Sequence, residues 1–168
     1  VANQKEKGMF KYLIGTWMLV LFLFIDGCRD NNSYQPVTQF DPGRDAAKDI
    51  QSALREAKRS NRNVLLDVGG NWCIWCRRLD QFFEQNRDLE EFMQAHYVVV
   101  KVNYSEENKN QEVLSRYPKI PGYPHLFVLD AGGNLLHSQD TGLLESSDHH
   151  DRDKVMAFLK QWIPEMAK

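Results

Sequence analysis

Cysteine is scarce in this chain: there are three. That is too few for a disulfide-stapled scaffold and too few for a four-thiolate zinc site. A charge excess of either sign is also missing, since 21 basic and 23 acidic side chains leave a formal net charge of -2. Without a basic surplus nothing favours nucleic acid as a partner, and without an acidic run nothing suggests a solvating tail. There is no internal repeat and no low-complexity tract. Hydrophobic residues at 42% and charged residues at 26% exclude wholesale disorder. A length of 168 residues suits one domain with short appendages.

Long apolar runs are limited to one, Tyr12 to Ile25, preceded by Lys5, Lys7 and Lys11. At about 1.5 Å rise per residue the run is short for a bilayer, which needs roughly 20 apolar residues. A basic stretch followed by an apolar one of this length reads as a secretory signal. The run closes on Ile25-Asp26-Gly27-Cys28. This resembles a bacterial lipobox, in which a small residue precedes a cysteine that is acylated. Residues 1–28 are therefore expected to be a signal peptide with Cys28 as the lipidation site, with an uncleaved signal anchor as the alternative. Residues 29–43, rich in Asn, Pro, Asp and Gly, are expected to be a tether that does not pack. Residues 44–168 are the expected domain, large enough for a single core.

Within it, Asp41-Pro42 suggests a helix start, and Ala46, Ile50, Ala53, Leu54 and Ala57 recur at helical spacing. Val64 to Val68 reads as a buried strand, and Cys73 to Phe83 as a helix. Asp88 and Glu91 suggest a capping box for a short helix through Ala95. Tyr97 to Asn103 is a second buried strand, and Asn108 to Arg116 a helix. His125 to Leu129 and Leu135 to Ser138 form a hairpin around Ala131-Gly132-Gly133-Asn134. His149-His150 reads as a polar start to a last amphipathic helix carrying Val155, Phe158, Leu159 and Trp162. The order α-β-α-β-α-β-β-α predicts a mixed sheet of about four strands with helices on both faces.

The chemistry is concentrated at Trp72-Cys73-Ile74-Trp75-Cys76. Two thiols three apart at a helix start can close a small disulfide ring. The unpaired N–H groups and positive dipole end there favour a thiolate, so Cys73 is expected to be the nucleophile. Cys76, a turn further in, suits the resolving role. The other reading is half of a zinc knuckle, which would need two further ligands. No histidine stands at ligand spacing to the pair, and a strand-turn-helix setting for C-x-x-C is a redox signature.

These residues resemble the thioredoxin superfamily over nearly the whole of residues 44–168. Trp72-Cys73-x-x-Cys76 is similar to its active-site motif. Asp67 matches the family's buried acid, and Lys101 its lysine on the next strand. Tyr123-Pro124 matches its cis-proline loop, and Gly142 its glycine after the hairpin. The variant Trp-Cys-x-Trp-Cys-Arg-Arg-Leu is most similar to secreted and lipoprotein thioredoxin-like proteins. It also resembles the soluble C-terminal domain of the transmembrane thiol:disulfide interchange reductase. Ile74-Trp75 and Gly69-Gly70 depart from the family pattern.

The resemblance implies a thiol:disulfide oxidoreductase with no cofactor beyond a redox-active Cys73–Cys76 disulfide. Asp67 would accept the proton of Cys76, or be only a paired carboxylate; Lys101 would be its partner, or a solvated lysine. Trp72 and Trp75 would form an apolar docking rim, or ordinary packing, and Tyr123-Pro124 would meet a substrate strand. Arg77 and Arg78 read as a solvated face, and His125 as a packed strand histidine. The implied partners are protein thiols and disulfides, a transmembrane disulfide reductase as electron donor, and the membrane through the lipid anchor on its periplasmic side. The alternatives are a reductase dedicated to one client, such as apocytochrome c or a copper-site assembly factor, and a non-catalytic binding module.

Overall fold

The computed structural model describes residues 34–164. The apolar segment and Cys28, with the signal and lipidation expected of them, lie outside the described residues.

The first helix, α1 (Ala46–Ser60), turns Ala46, Ile50, Ala53 and Ala57 inward. Its N-cap is Asp45, whose carboxylate accepts the Lys48 N–H at 3.1 Å. The expected start at Asp41-Pro42 is displaced because the Asp41 carboxylate accepts the Gly43 N–H instead, closing its own turn. Strand β1 (Asn63–Gly69) follows, then α2 (Ile74–Gln85), α3 (Arg87–His96) and β2 (Tyr97–Asn103). After the one-turn α4 (Gln111–Leu114) come β3 (His125–Leu129), β4 (Leu135–Asp140) and a 3-10 turn at Thr141–Leu144. Two short strands, β5 (Glu145–Ser146) and β6 (His149–His150), precede α5 (Arg152–Gln161).

The main sheet has the order β2-β1-β3-β4, with β1 parallel to β2 and the other pairs antiparallel. This is the mixed sheet that the element order predicts. Strand β1 is central and buried along its length, which is why it reads as an apolar run rather than an alternation. Its pleat still sorts two cores. Val64, Leu66 and Val68 join Val98, Val100 and the inner face of α1. Leu65 points the other way, into a core with Leu79 of α2, Leu89 of α3 and Leu159 of α5. Asp67 shares that second face, on the side of α2.

Four expectations are corrected. Residues 34–43 do not stand off as a free tether. Val37 bridges Val100 in parallel and accepts the Lys101 N–H at 3.1 Å, and Val37 and Phe40 are buried. The reason is that β2 is an edge strand whose open backbone groups attract a partner; the folded unit thus begins at Tyr34 rather than Arg44. The capping box is absent: α3 is capped by Asn86 without a side-chain bond, and Asp88 pairs with Arg152 of α5. The helix expected over 108–116 shrinks to α4. Asn108 and Asn110 there spend their side-chain amides on the Pro42 and Asn103 carbonyls, holding the loop out of helix. His149-His150 is a strand, and Asp151 caps α5 by accepting the Asp153 and Lys154 N–H groups.

Candidate active site

Strand β1 ends at Gly69, and a tight turn leads to Cys73, whose N–H donates to the Gly70 carbonyl at 3.0 Å. Cys73 is the N-cap of α2: its backbone is extended, and its Sγ accepts the Cys76 N–H at 3.1 Å. The sulfur thus occupies the position where the first amides of a helix converge, which favours negative charge on it. Cys73 and Cys76 are joined as a disulfide, with their Cα atoms 5.3 Å apart. Cys73 is 4% exposed and Cys76 1%. The margin is narrow because Phe40 packs on both sulfur-bearing residues, with Trp75 and Tyr123 closing the flanks.

The two glycines that depart from the family pattern have a steric reason. A Cβ on Gly69 would lie 2.4 Å from Cys76 Sγ and 3.1 Å from Phe40 Cζ. A Cβ on Gly70 would lie 2.5 Å from Trp72 Nε1 and 2.8 Å from the Tyr104 carbonyl oxygen. Contacts under 3.0 Å force a shift, so the close approach of the disulfide requires a bare backbone at Gly69, and that of the Trp72 ring and the Tyr104 carbonyl one at Gly70.

Asp67 pairs in register with Lys101 across β1 and β2, and Lys101 Nζ donates to Asp67 Oδ2 at 2.9 Å. The same ammonium donates to Asp80 Oδ1 of α2 at 2.5 Å and lies 4.2 Å from the centre of the Phe40 ring. Asp67 Oδ1 is buried without a hydrogen-bond partner. Burial pushes the Asp67 carboxyl above the usual carboxylate range, against the pull of Lys101. Burial alone would lower Lys101, but the charges of Asp67 and Asp80 outweigh it and raise the ammonium's pKa. A cavity of about 540 Å³ lies beside this group, its lining including Tyr34, Pro36, Thr38, Asp67, Asp80 and Lys101. Along β1, Asp67 is two residues from Gly69 on the same face, hence about 6.8 Å from the residue that touches Cys76.

The aromatic rim divides in two. Trp72 is 56% exposed, donates Nε1–H to the Tyr104 carbonyl at 2.6 Å, and meets Tyr123 edge-on at 5.6 Å. Tyr123 stacks on Tyr104 at 4.8 Å, and burial beside Tyr104 pushes its phenol up to about 12. Trp75 instead turns toward β6, where its ring carries the Arg78 guanidinium at 4.5 Å and meets His150 edge-on. The Tyr123–Pro124 peptide is cis, and the Pro124 carbonyl accepts the Thr141 hydroxyl at 2.6 Å. That bond ties the turn carrying exposed Leu143 to the start of β3.

Arg77 donates to the Asn71 carbonyl and Arg78 to that of Asp148, so neither is merely solvated. His125 is a packed strand histidine, buried against Phe127 and bonded to the Ser138 hydroxyl, and burial lowers its pKa. Phe40, Asp80 and Tyr104 were not singled out by the sequence. Phe40 lies in a stretch without apolar periodicity, and Asp80 and Tyr104 reach the site only through tertiary packing. His150 is buried under Trp75 and Phe82 where a polar helix start was expected. Among the described residues, no three His, Cys, Asp or Glu side chains gather as a metal site. No helix among them is long and apolar enough to cross a membrane.

A mixed sheet packed on both faces, with a C-x-x-C disulfide opening the helix that follows the central strand, defines a thioredoxin-like protein. The chain belongs to the thioredoxin-like family, whose model matches residues 45–131. It is 30% identical over 93 residues to the disulfide bond reductase DsbH of Chlamydia pneumoniae, a match covering 50% of this chain and 55% of that protein. It is 29% identical over 116 residues to the thiol:disulfide interchange protein DsbD of Pseudomonas fluorescens, covering 68% of this chain and 18% of that one. The chain thus spans about half the length of the first of these relatives and under a fifth of the second. Among solved structures, the disulphide isomerase from Xylella fastidiosa superposes with a TM-score of 0.63 at 26% identity, over 73% of this chain and 94% of that one.

Proposed function

We propose that the chain is a thiol:disulfide oxidoreductase that exchanges its Cys73–Cys76 pair with protein disulfides. The observation that carries this reading is Cys73 at the N-cap of α2, its sulfur held by the Cys76 amide. In the reduced protein the Cys73 thiolate attacks a client disulfide, forming a mixed disulfide and releasing one client sulfur as thiolate. Cys76 then gives its proton to Asp67. Its thiolate attacks Cys73 Sγ, the Cys73–client bond breaks, and the second client sulfur leaves as thiolate. Two electrons pass to the client and the Cys73–Cys76 disulfide reforms. Lys101 balances the charge of Asp67 while it waits ionised.

Trp72, Trp75, Tyr123 and Pro124 make up the client-facing rim, with Trp72 the most open of them. The direction is reductive, on the strength of the relative named a disulfide bond reductase. A reductive cycle needs an electron donor, for which a transmembrane disulfide reductase on the outer side of the membrane is the fitting class. The basic and apolar residues before Cys28 support export and a lipid anchor at that cysteine. The chain is then a periplasm-facing lipoprotein held to the membrane.

Insulin reduction with dithiothreitol as donor tests the activity, alongside zinc content of the purified protein. The expected result is turnover by the wild type, none by Cys73→Ser, and less than stoichiometric zinc. No turnover together with one zinc per chain would replace the oxidoreductase reading by a metal-bound binding module.

A further inference from the structure

The segment Tyr34–Gly43 brings one large side chain onto the disulfide. Val37 anchors it at the edge of β2 through the Lys101 amide, and Asn71 Nδ2 donates to the Phe40 carbonyl at 3.0 Å. Between these two fixed points the Phe40 ring is buried against Cys73 and Cys76. Its Cζ reaches the space left open by Gly69, which is the space Cys76 Sγ also occupies. The face of the same ring carries the Lys101 ammonium, the cation that joins Asp67 of β1 to Asp80 of α2. One apolar side chain therefore touches the inner thiol and the partner of the buried acid together.

We propose that Phe40 is a positioning residue for the resolving step: it keeps water from the inner face of Cys76 and holds Lys101 over its ring, so that Asp67 meets the inner thiol on a side shielded from water. This rests on the oxidoreductase reading above and extends it to a residue outside the C-x-x-C helix. A carboxylate shielded from water on one side is a stronger base than a fully hydrated one, because its ionised form is less well solvated. A cation over an aromatic face is held more firmly the less water competes for it. Opening the cover weakens both effects at the inner thiol. It leaves the N-cap geometry of Cys73, which the first turn of α2 provides, in place.

Single-turnover stopped flow separates the two steps. Attack is read as loss of the Cys73 thiolate in a Cys76→Ser background with oxidised glutathione. Resolution is read as release of the second glutathione by protein with both cysteines, between pH 5 and 9. For Phe40→Ala the expected result is attack within about twofold of the wild type and resolution about tenfold slower at neutral pH, a part of what a general base contributes. The pH midpoint of resolution should move down toward an ordinary carboxylate, a readout that loss of packing alone would not shift. Phe40→Leu keeps an apolar cover and should recover most of the resolution rate, which guards against a fold defect in the alanine variant. Equal slowing of both steps, or resolution and pH midpoint unchanged in Phe40→Ala, would overturn the proposal while leaving the oxidoreductase reading intact. A wild type that resolves no mixed disulfide would overturn both.

Discussion

Asp67 is the residue whose surroundings set the most. It is the one charge in β1, a strand buried end to end, and its Oδ1 has no partner. Its carboxyl is raised in the native protein by burial, whereas an unfolded aspartate titrates near about 3.9. Compared with the unfolded chain, the native state therefore binds the Asp67 proton more tightly. The stability this contributes is complete below the unfolded pKa and is lost as pH rises through the raised native one. Asp67→Asn removes that loss, and Asp80 still holds Lys101. The variant should match the wild type in urea denaturation at acid pH and become relatively more stable as pH rises toward neutral. Its disulfide turnover should fall about a hundredfold or more, the span assigned to a general base. A variant less stable than wild type at neutral pH, with unchanged turnover, would leave Asp67 as a paired structural carboxylate. Gly69 shows the same economy of space: the residue type follows from a sulfur where a Cβ would stand.

At the scale of elements, α2 and the segment before α1 do different work. The start of α2 was legible because a C-x-x-C pair after a buried strand and a glycine turn leaves few other conformations. Strands β1 and β2, and the hairpin of β3 and β4, were equally readable from apolar runs and turn residues. The segment 34–43 was not, since Val37 and Phe40 stand among Gln, Thr, Pro and Asp without a period, and only the open edge of β2 gives them a place. The helix over 108–116 failed for a related reason. Its asparagines, Asn108 and Asn110, donate their side-chain amides to the Pro42 and Asn103 carbonyls, partners that only the folded loop brings near. The docking of this segment predicts an exchange pattern. In Val37→Asp the Lys101 amide, which donates to the Val37 carbonyl, should lose protection in hydrogen exchange, while the β1 amides remain slow. Equal protection at Lys101 in both proteins would mean that residues 34–43 do not depend on Val37 for their place.

The whole molecule arranges three elements around one sulfur pair: a central strand for the acid, a helix end for the outer thiol, and an edge segment for the cover. Of the residues singled out in the sequence, the structure joins Cys73 to Cys76, Asp67 to Lys101 and Trp72 to Tyr123, while Trp75 leans away from Trp72 toward Arg78 and His150. The two tryptophans of the motif were indistinguishable in sequence, and only the position of β6 separates them. The unequal roles of the two cysteines are the centre of the account. They are tested by expressing Cys73→Ser and Cys76→Ser separately in the cell envelope and examining each on non-reducing gels with mass spectrometry. Cys76→Ser should accumulate partner proteins in mixed disulfides through Cys73, because it can attack but not resolve. Cys73→Ser should accumulate none. Trapping by Cys73→Ser and not by Cys76→Ser would contradict the assignment of the helix-capping thiol as nucleophile.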